Sequence, residues 1–199
     1  MAQHHPSLRV LSFPSELGWM AVALRDDAVC RLTFGHSSRR AAQQAAERAT
    51  SAANGSGTNG TLSTNTANGT SGTGRAMASP KTRAGDTALV RRLQAFARGA
   101  HDDFLDVRVE HDANTPFARR VIQHCRRIRS GSTLTYGQLA ARAGSPRAAR
   151  AVGNVMANNA VPLIVPCHRV VGAAGSLGGF SAPQGVDMKR RLLRMEVGA

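Results

Sequence analysis

The sequence predicts an α+β chain: a small antiparallel sheet in the N-terminal half, followed by a mostly helical C-terminal half. Three observations carry this. Three short β-prone runs, Leu8–Phe13, Trp19–Leu24 and Val29–Phe34, fall within the first 34 residues. From Asp86 onward the apolar residues recur mainly at helical spacing. Between the two regions lies a break in composition at Thr50–Gly74, where 24 of 25 residues are Ala, Asn, Gly, Ser or Thr and only Leu62 departs.

The three runs are separated by Pro14-Ser15-Glu16-Leu17-Gly18 and Arg25-Asp26-Asp27, both turn-like, which predicts a meander. Arg39–Thr50 is rich in Ala, Gln and Arg and reads as helix. Thr50–Gly74 is too poor in apolar residues to offset its ordering entropy and is expected to be a disordered insertion. Asp86 is expected to cap a helix over Thr87–Arg98, with Leu89, Val90, Leu93 and Phe96 on one face. Phe104–Val109 alternates and predicts a strand. Thr115-Pro116 opens a helix over Phe117–Arg129 with proline at its first position and Phe117, Val121, Ile122, Cys125 and Ile128 as its apolar face. Thr135–Ala143 and Pro146–Ala157 then form two helices about a Gly144-Ser145 turn, the form of a helix-turn-helix. The second is rich in small residues, which suit either close approach to a groove or close packing inside the protein. A last helix is expected over Met188–Met195. The expected domains are 1–110, an α/β unit carrying the insertion, and 111–199.

The net charge of +14 is unevenly placed. Residues 115–199 hold 12 Arg and one Lys against Asp187 and Glu196, whereas residues 1–114 hold 13 basic against 10 acidic residues. A basic C-terminal half suggests a polyanionic partner, most simply nucleic acid; an arginine-rich surface without a function is the alternative. Cysteines at 30, 125 and 167 form no Cys-x-x-Cys pair and are odd in number. That argues against a disulfide framework and against a cysteine zinc site, and fits a reducing cytoplasm. Cys30 and His36 do not make a set of four ligands, so no metal is expected. No apolar run approaches the roughly 20 residues that span a bilayer, so no membrane partner is expected. The N-terminus lacks the charged and apolar regions of a secretory signal.

Chemistry concentrates in Val165-Pro166-Cys167-His168-Arg169-Val170-Val171. A thiolate, not a thiol, is the nucleophile, and a free cysteine with a pKa of about 8.5 needs a base or a positive field. Pro166 fixes the backbone before the thiol. His168 offers a base and Arg169 a fixed charge. Cys125, on the apolar face of its helix, reads as packing.

Four blocks then occur in order: Tyr136-Gly137-Gln138-Leu139-Ala140, Ala148-Ala149-Arg150-Ala151-Val152-Gly153, Asn158-Asn159-Ala160-Val161-Pro162 and Pro166-Cys167-His168-Arg169-Val170-Val171. Together they resemble the O6-alkylguanine-DNA alkyltransferases, the methylated-DNA–protein-cysteine methyltransferases. The resemblance covers residues 115–199 strongly and 1–110 loosely. It implies a ribonuclease-H-like look for the N-terminal sheet domain and a winged helix-turn-helix-like C-terminal domain. It implies a DNA-repair protein that flips O6-alkylguanine, and more weakly O4-alkylthymine, from duplex DNA and moves the alkyl group irreversibly to its own Cys167. No cofactor and no obligate protein partner are implied, and the chain is expected to be a monomer.

By the resemblance, Cys167 is the acceptor, His168 takes its proton through a water, and Glu196 orients His168. An extended Cys167-His168 segment points adjacent side chains to opposite faces, which would account for that water. Tyr136 approaches the base and the phosphate behind it, Ser181 and nearby N–H groups bond the O6 side, and carbonyls around Cys167 and Val170 read the exocyclic amine. Arg150 fills the gap left in the stack, Ala149 lies beside it on the DNA face, and Asn159 braces the turn before the cysteine. Arg169 is expected to be structural. The segment Gly178–Asp187 departs from the family: Phe180 stands where a tyrosine is usual, and the stretch to Lys189 is two residues longer. Two rivals remain, a non-catalytic lesion-binding relative and a helix-turn-helix regulator.

Overall fold

In a computed structural model, residues 7–53, 83–111 and 113–198 are described. The three N-terminal runs form strands β1 (Leu8–Phe13), β2 (Trp19–Arg25) and β3 (Ala28–His36). They make an antiparallel sheet in the order β1-β2-β3, with Leu11 opposite Val22 and Val22 opposite Leu32. One face of β2 turns Met20, Val22 and Leu24 into the main core, while Ala21 packs under Ala42 and Ala46 of α1 (Arg39–Ala53). Both faces of the sheet are therefore covered. α1 reaches Ala53, so the first four residues of the expected insertion are helical; the rest of it, 54–74, lies outside the described residues.

α2 (Ala84–Ala97) begins three residues before the sequence reading placed it. Its N-cap is Arg83. Asp86 sits at the third helical position, where its carboxylate accepts the Arg83 N–H at 3.2 Å, and it pairs with buried Arg9 at 3.1 Å. Asp86 thus serves the helix start as the returning half of a capping box.

The strand expected at Phe104–Val109 does not form. The segment turns, with Phe104 buried at φ 49° and only Val109 bridged to Val29. Side-chain anchors replace a ladder there: the Arg126 guanidinium donates to the carbonyls of Phe104, Leu105 and Val107 at 2.7, 3.2 and 2.9 Å. Alternation alone could not distinguish this from a strand.

The C-terminal half contains α3 (Pro116–Arg126), α4 (Tyr136–Arg142), α5 (Ala149–Ala157) and α6 (Val186–Val197). Thr115 caps α3, accepting the Ala118 N–H, with Pro116 at the first position as read from sequence. Ile128 packs in the core just past the helix, which ends three residues earlier than expected. α5 starts at Ala149, not Pro146, because residues 143–148 form the turn. Two very short strands, β4 (Leu134–Thr135) and β5 (Val170–Val171), pair in parallel. One buried apolar cluster runs from Phe13 and Met20 through Phe96 and Val121 to Leu192, with His168 wedged edge-on against Phe96 at 6.4 Å.

Candidate active site

The site is assembled by three local devices. First, the β4–β5 ladder places Leu134 beside Val170 and Thr135 beside Val171, so the start of α4 lies against the segment that follows Cys167. Thr135 also caps α4 through a reciprocal box: its hydroxyl accepts the Gln138 N–H at 3.1 Å and Gln138 Oε1 accepts the Thr135 N–H at 2.8 Å. That fixes Tyr136, the first residue of the helix, half-buried with its hydroxyl close to Gly178. Gly178 has φ +64°, and a Cβ there would meet the Tyr136 oxygen at 3.1 Å.

Second, Asn159 spans the turn that precedes the thiol. Its Oδ1 accepts the Val161 N–H at 3.1 Å and its Nδ2 donates to the Val165 carbonyl at 2.8 Å. Leu163, at φ 71°, is held in left-handed backbone inside this turn.

Third, Cys167-His168-Arg169 is one turn of 3-10 helix, not the extended segment expected. The Cys167 N–H donates to Val165 O at 2.7 Å and the Arg169 N–H to Pro166 O at 2.9 Å. Successive side chains of such a turn diverge by a third of a revolution. The three therefore point to three places, and the alternation offered for a bridging water does not apply.

Cys167 is buried, and burial pushes its thiol up. The Asn159 side chain, the Lys189 charge and the backbone N–H groups of Cys167 and His168 pull in the opposite direction without reversing the shift. His168 is fully buried and lowered, chiefly by burial, against the raising effect of Glu196. It is thus the neutral imidazole at pH 7. Its Nε2 lies 2.8 Å from Glu196 Oε1, and a carboxylate can only accept there, so the proton sits on Nε2. Nδ1 is left as a bare lone pair, buried and without a partner among the described residues. That is the protonation pattern of a general base.

Glu196 is shared. The Arg169 guanidinium grips both carboxylate oxygens, Nε at 3.0 and 3.1 Å and Nη2 at 2.7 Å, while Nη1 donates to Ile128 O at 2.6 Å. Burial alone would raise the Glu196 carboxyl, but the hydrogen bonds from His168 and Arg169 bring it to about 2. On α6, Glu196 is seven residues from Lys189, so both face the same way into the protein. Lys189 Nζ donates to the carbonyls of Val170 and Leu177 at 2.7 and 2.5 Å and lies 6.0 Å from the Tyr136 ring.

Of the residues singled out from sequence, Cys167, His168, Glu196, Tyr136 and Asn159 gather around this centre. Ala149 and Arg150 begin α5, with Arg150 exposed. Ser181 is exposed on the loop before α6 and lines a cavity of about 820 Å³ with Phe34, Asn159, Pro162 and Phe180, and Cys167 is not on its wall. Phe180 leans on Phe34 at 6.3 Å, and Gln184 Nε2 donates to Gly35 O at 2.6 Å, so the lengthened loop is fastened to β3. Arg169, read from sequence as a fixed charge and a structural residue, is the cation that holds Glu196, whereas the sequence reading gave Lys189 no electrostatic role. Among the described residues no cluster of three His, Cys, Asp or Glu side chains is arranged to hold a metal, and no helix is long and apolar enough to cross a membrane.

A three-stranded antiparallel sheet with its helix, a helical C-terminal half with two helices about a turn, and a buried cysteine beside a carboxylate-bound histidine define an α+β protein built around one candidate nucleophile. Residues 116–198 match the family model described as 6-O-methylguanine DNA methyltransferase, DNA binding domain. The chain is 38% identical over 104 residues to the methylated-DNA–protein-cysteine methyltransferase of Kluyveromyces lactis, covering 52% of this chain and 53% of that protein. It is 39% identical over 121 residues to that of Mycolicibacterium paratuberculosis, covering 59% of this chain and 67% of that one. The crystal structure of Mycobacterium tuberculosis OGT in complex with DNA superposes with a TM-score of 0.65 at 26% identity, covering 96% of this chain and 93% of that chain. The chain belongs to the methylated-DNA–protein-cysteine methyltransferase family. Its matches span about half to two thirds of the length of the curated relatives.

Proposed function

We propose that this chain is a DNA-repair alkyl acceptor that takes the alkyl group from O6 of an alkylguanine flipped out of duplex DNA, and more weakly from O4 of an alkylthymine. The C–O bond to the base breaks and a C–S bond to Cys167 Sγ forms, leaving a thioether. The thiol proton passes through a water to His168 Nδ1, and the departing base takes up a proton from the Tyr136 hydroxyl at the position where negative charge develops. The thioether is stable, so the protein acts once, without a cofactor. The observation that carries this reading is the bare, buried Nδ1 of a neutral His168 whose other nitrogen is held by Glu196.

Each remaining group has a part in the proposal. Arg169 keeps Glu196 ionised. Lys189 and the N–H groups of the 3-10 turn stabilise the thiolate as it forms. Arg150, with Ala149 beside it, occupies the space the flipped base vacates; Ser181 bonds the base on its O6 side, and the Val170 carbonyl reads the amine. Asn159 holds the thiol segment in place. The partner is alkylated double-stranded DNA, and the protein acts as a monomer in a cytoplasm whose reducing conditions suit its three free thiols. We place the domain boundary near residue 110, after the turn that Arg126 anchors.

The test is transfer of labelled methyl from a duplex containing O6-methylguanine to protein. The wild type should take up one label per chain and Cys167→Ala none. Label on the Ala variant would show that another residue is the acceptor.

A further inference from the structure

α3 and its C-cap carry arginines as two pairs, Arg119-Arg120 and Arg126-Arg127, seven residues apart, with Arg127 the C-cap. Seven residues make about two turns, so the pairs share one side of the helix at a rise of roughly 10 Å. Together with Gln123 they line a cleft of about 720 Å³ whose other wall includes Leu105 and His111. The opposite side of α3 buries Val121 and Cys125 in the core.

The four arginines are not equivalent. Arg126 is committed inward to three carbonyls and feels Asp103 and Asp106. Asp106 is itself held by Arg92 at 2.7 Å. Arg119, Arg120 and Arg127 are exposed. Arg119 Nη1 donates to Ala113 O at 3.2 Å, which fixes its stem and leaves the rest of its fork outward. Arg120 Nε donates at 2.8 Å to the carbonyl of Ala143, the C-cap of α4. The cleft therefore abuts the turn between α4 and α5, which is flanked by the exposed cations Arg142 at the end of α4, Arg147 in the turn and Arg150 on α5.

We infer that Arg119, Arg120 and Arg127 form a phosphate track on α3 that extends the DNA contact beyond the α4–α5 motif. The inference rests on the DNA reading above and concerns the backbone of duplex DNA. α5 is built largely of small residues, which allow close approach but supply few charges. A track about 10 Å long on the adjoining helix supplies them, in the planar forks that suit phosphate oxygens.

The experiment is fluorescence anisotropy of an unmodified labelled duplex against salt, for the wild type, Arg119→Gln/Arg127→Gln and Arg119→Lys/Arg127→Lys. Each phosphate contact contributes roughly 0.9 to the log–log slope. The Gln variant should lower the slope by about 1.8, and the Lys variant should keep it. Alkyl transfer from free O6-benzylguanine, which needs no phosphate contact, should be the same in all three. An unchanged slope in the Gln variant, or an equal loss in the Lys variant, overturns the track. A wild type with no salt-dependent duplex binding would instead overturn the DNA reading itself.

Discussion

Replacing Glu196 by Gln tests the centre of the site with little change of shape. The carboxylate is 4% exposed and the Arg169 guanidinium that grips it is 2% exposed. The substitution leaves that cation buried with only neutral acceptors, the new amide oxygen and Ile128 O, a change that costs about 3–5 kcal/mol when one member of a buried pair is removed. A second route gives the same scale. The Glu196 carboxyl is held at about 2, roughly two units below a free glutamate, and at about 1.4 kcal/mol per unit that is on the order of 3 kcal/mol. Urea unfolding followed by Trp19, the chain's single tryptophan, reads the loss directly. The melting temperature should fall by about 6–20 °C, at roughly 2–4 °C per kcal/mol for a chain of this size. Adding Arg169→Met to the Gln variant should recover part of the stability, because the stranded charge is then gone. A loss below about 1 kcal/mol, or no recovery in the double variant, would refute the claim that the ion pair is an organising contact.

Stability should also decline in acid in a defined window. The folded values of His168 and Glu196 both lie below their unfolded ones, so each group contributes stability that is present above its unfolded value and lost as the pH falls through the folded one. The decline should begin below about pH 6.5, the unfolded histidine value, and continue towards pH 2; a urea midpoint that is flat from pH 7 to 4 would contradict it. Lys189→Met should slow transfer at neutral pH, since the Lys189 charge pulls the Cys167 thiol down against the raising effect of burial. Its rate should recover at higher pH. A pH profile that keeps its position would make Lys189 a purely structural bond to Val170 and Leu177.

The meander was legible because short β-prone runs are separated by segments carrying Pro, Gly and Asp. The capped start of α3 was legible because Thr115-Pro116 is a local signal. The same local logic failed at Phe104–Val109. There the pattern of a strand is satisfied by a turn whose carbonyls are collected by Arg126, a contact between residues some twenty positions apart. It failed again at Cys167: proline before the cysteine signalled a break but not that three residues would coil into a 3-10 turn. Cys167, His168 and Glu196 were singled out by the family resemblance that the four sequence blocks carry; residue types alone offered only a thiol beside a possible base and a fixed charge. That Arg169 would be the most completely engaged side chain of the site was not legible, because its partners, Ile128 O and Glu196, come from two other elements.

In the proposed reaction Cys167 ends carrying the alkyl group. Intact-mass measurement after incubation with a duplex containing O6-benzylguanine tests it in one step. The expected result is a gain of one benzyl group per chain, mapped by peptide fragmentation to Cys167 and not to Cys30 or Cys125. Tight binding of the lesion duplex with no gain in mass would contradict it and leave a protein that recognises the lesion without repairing it.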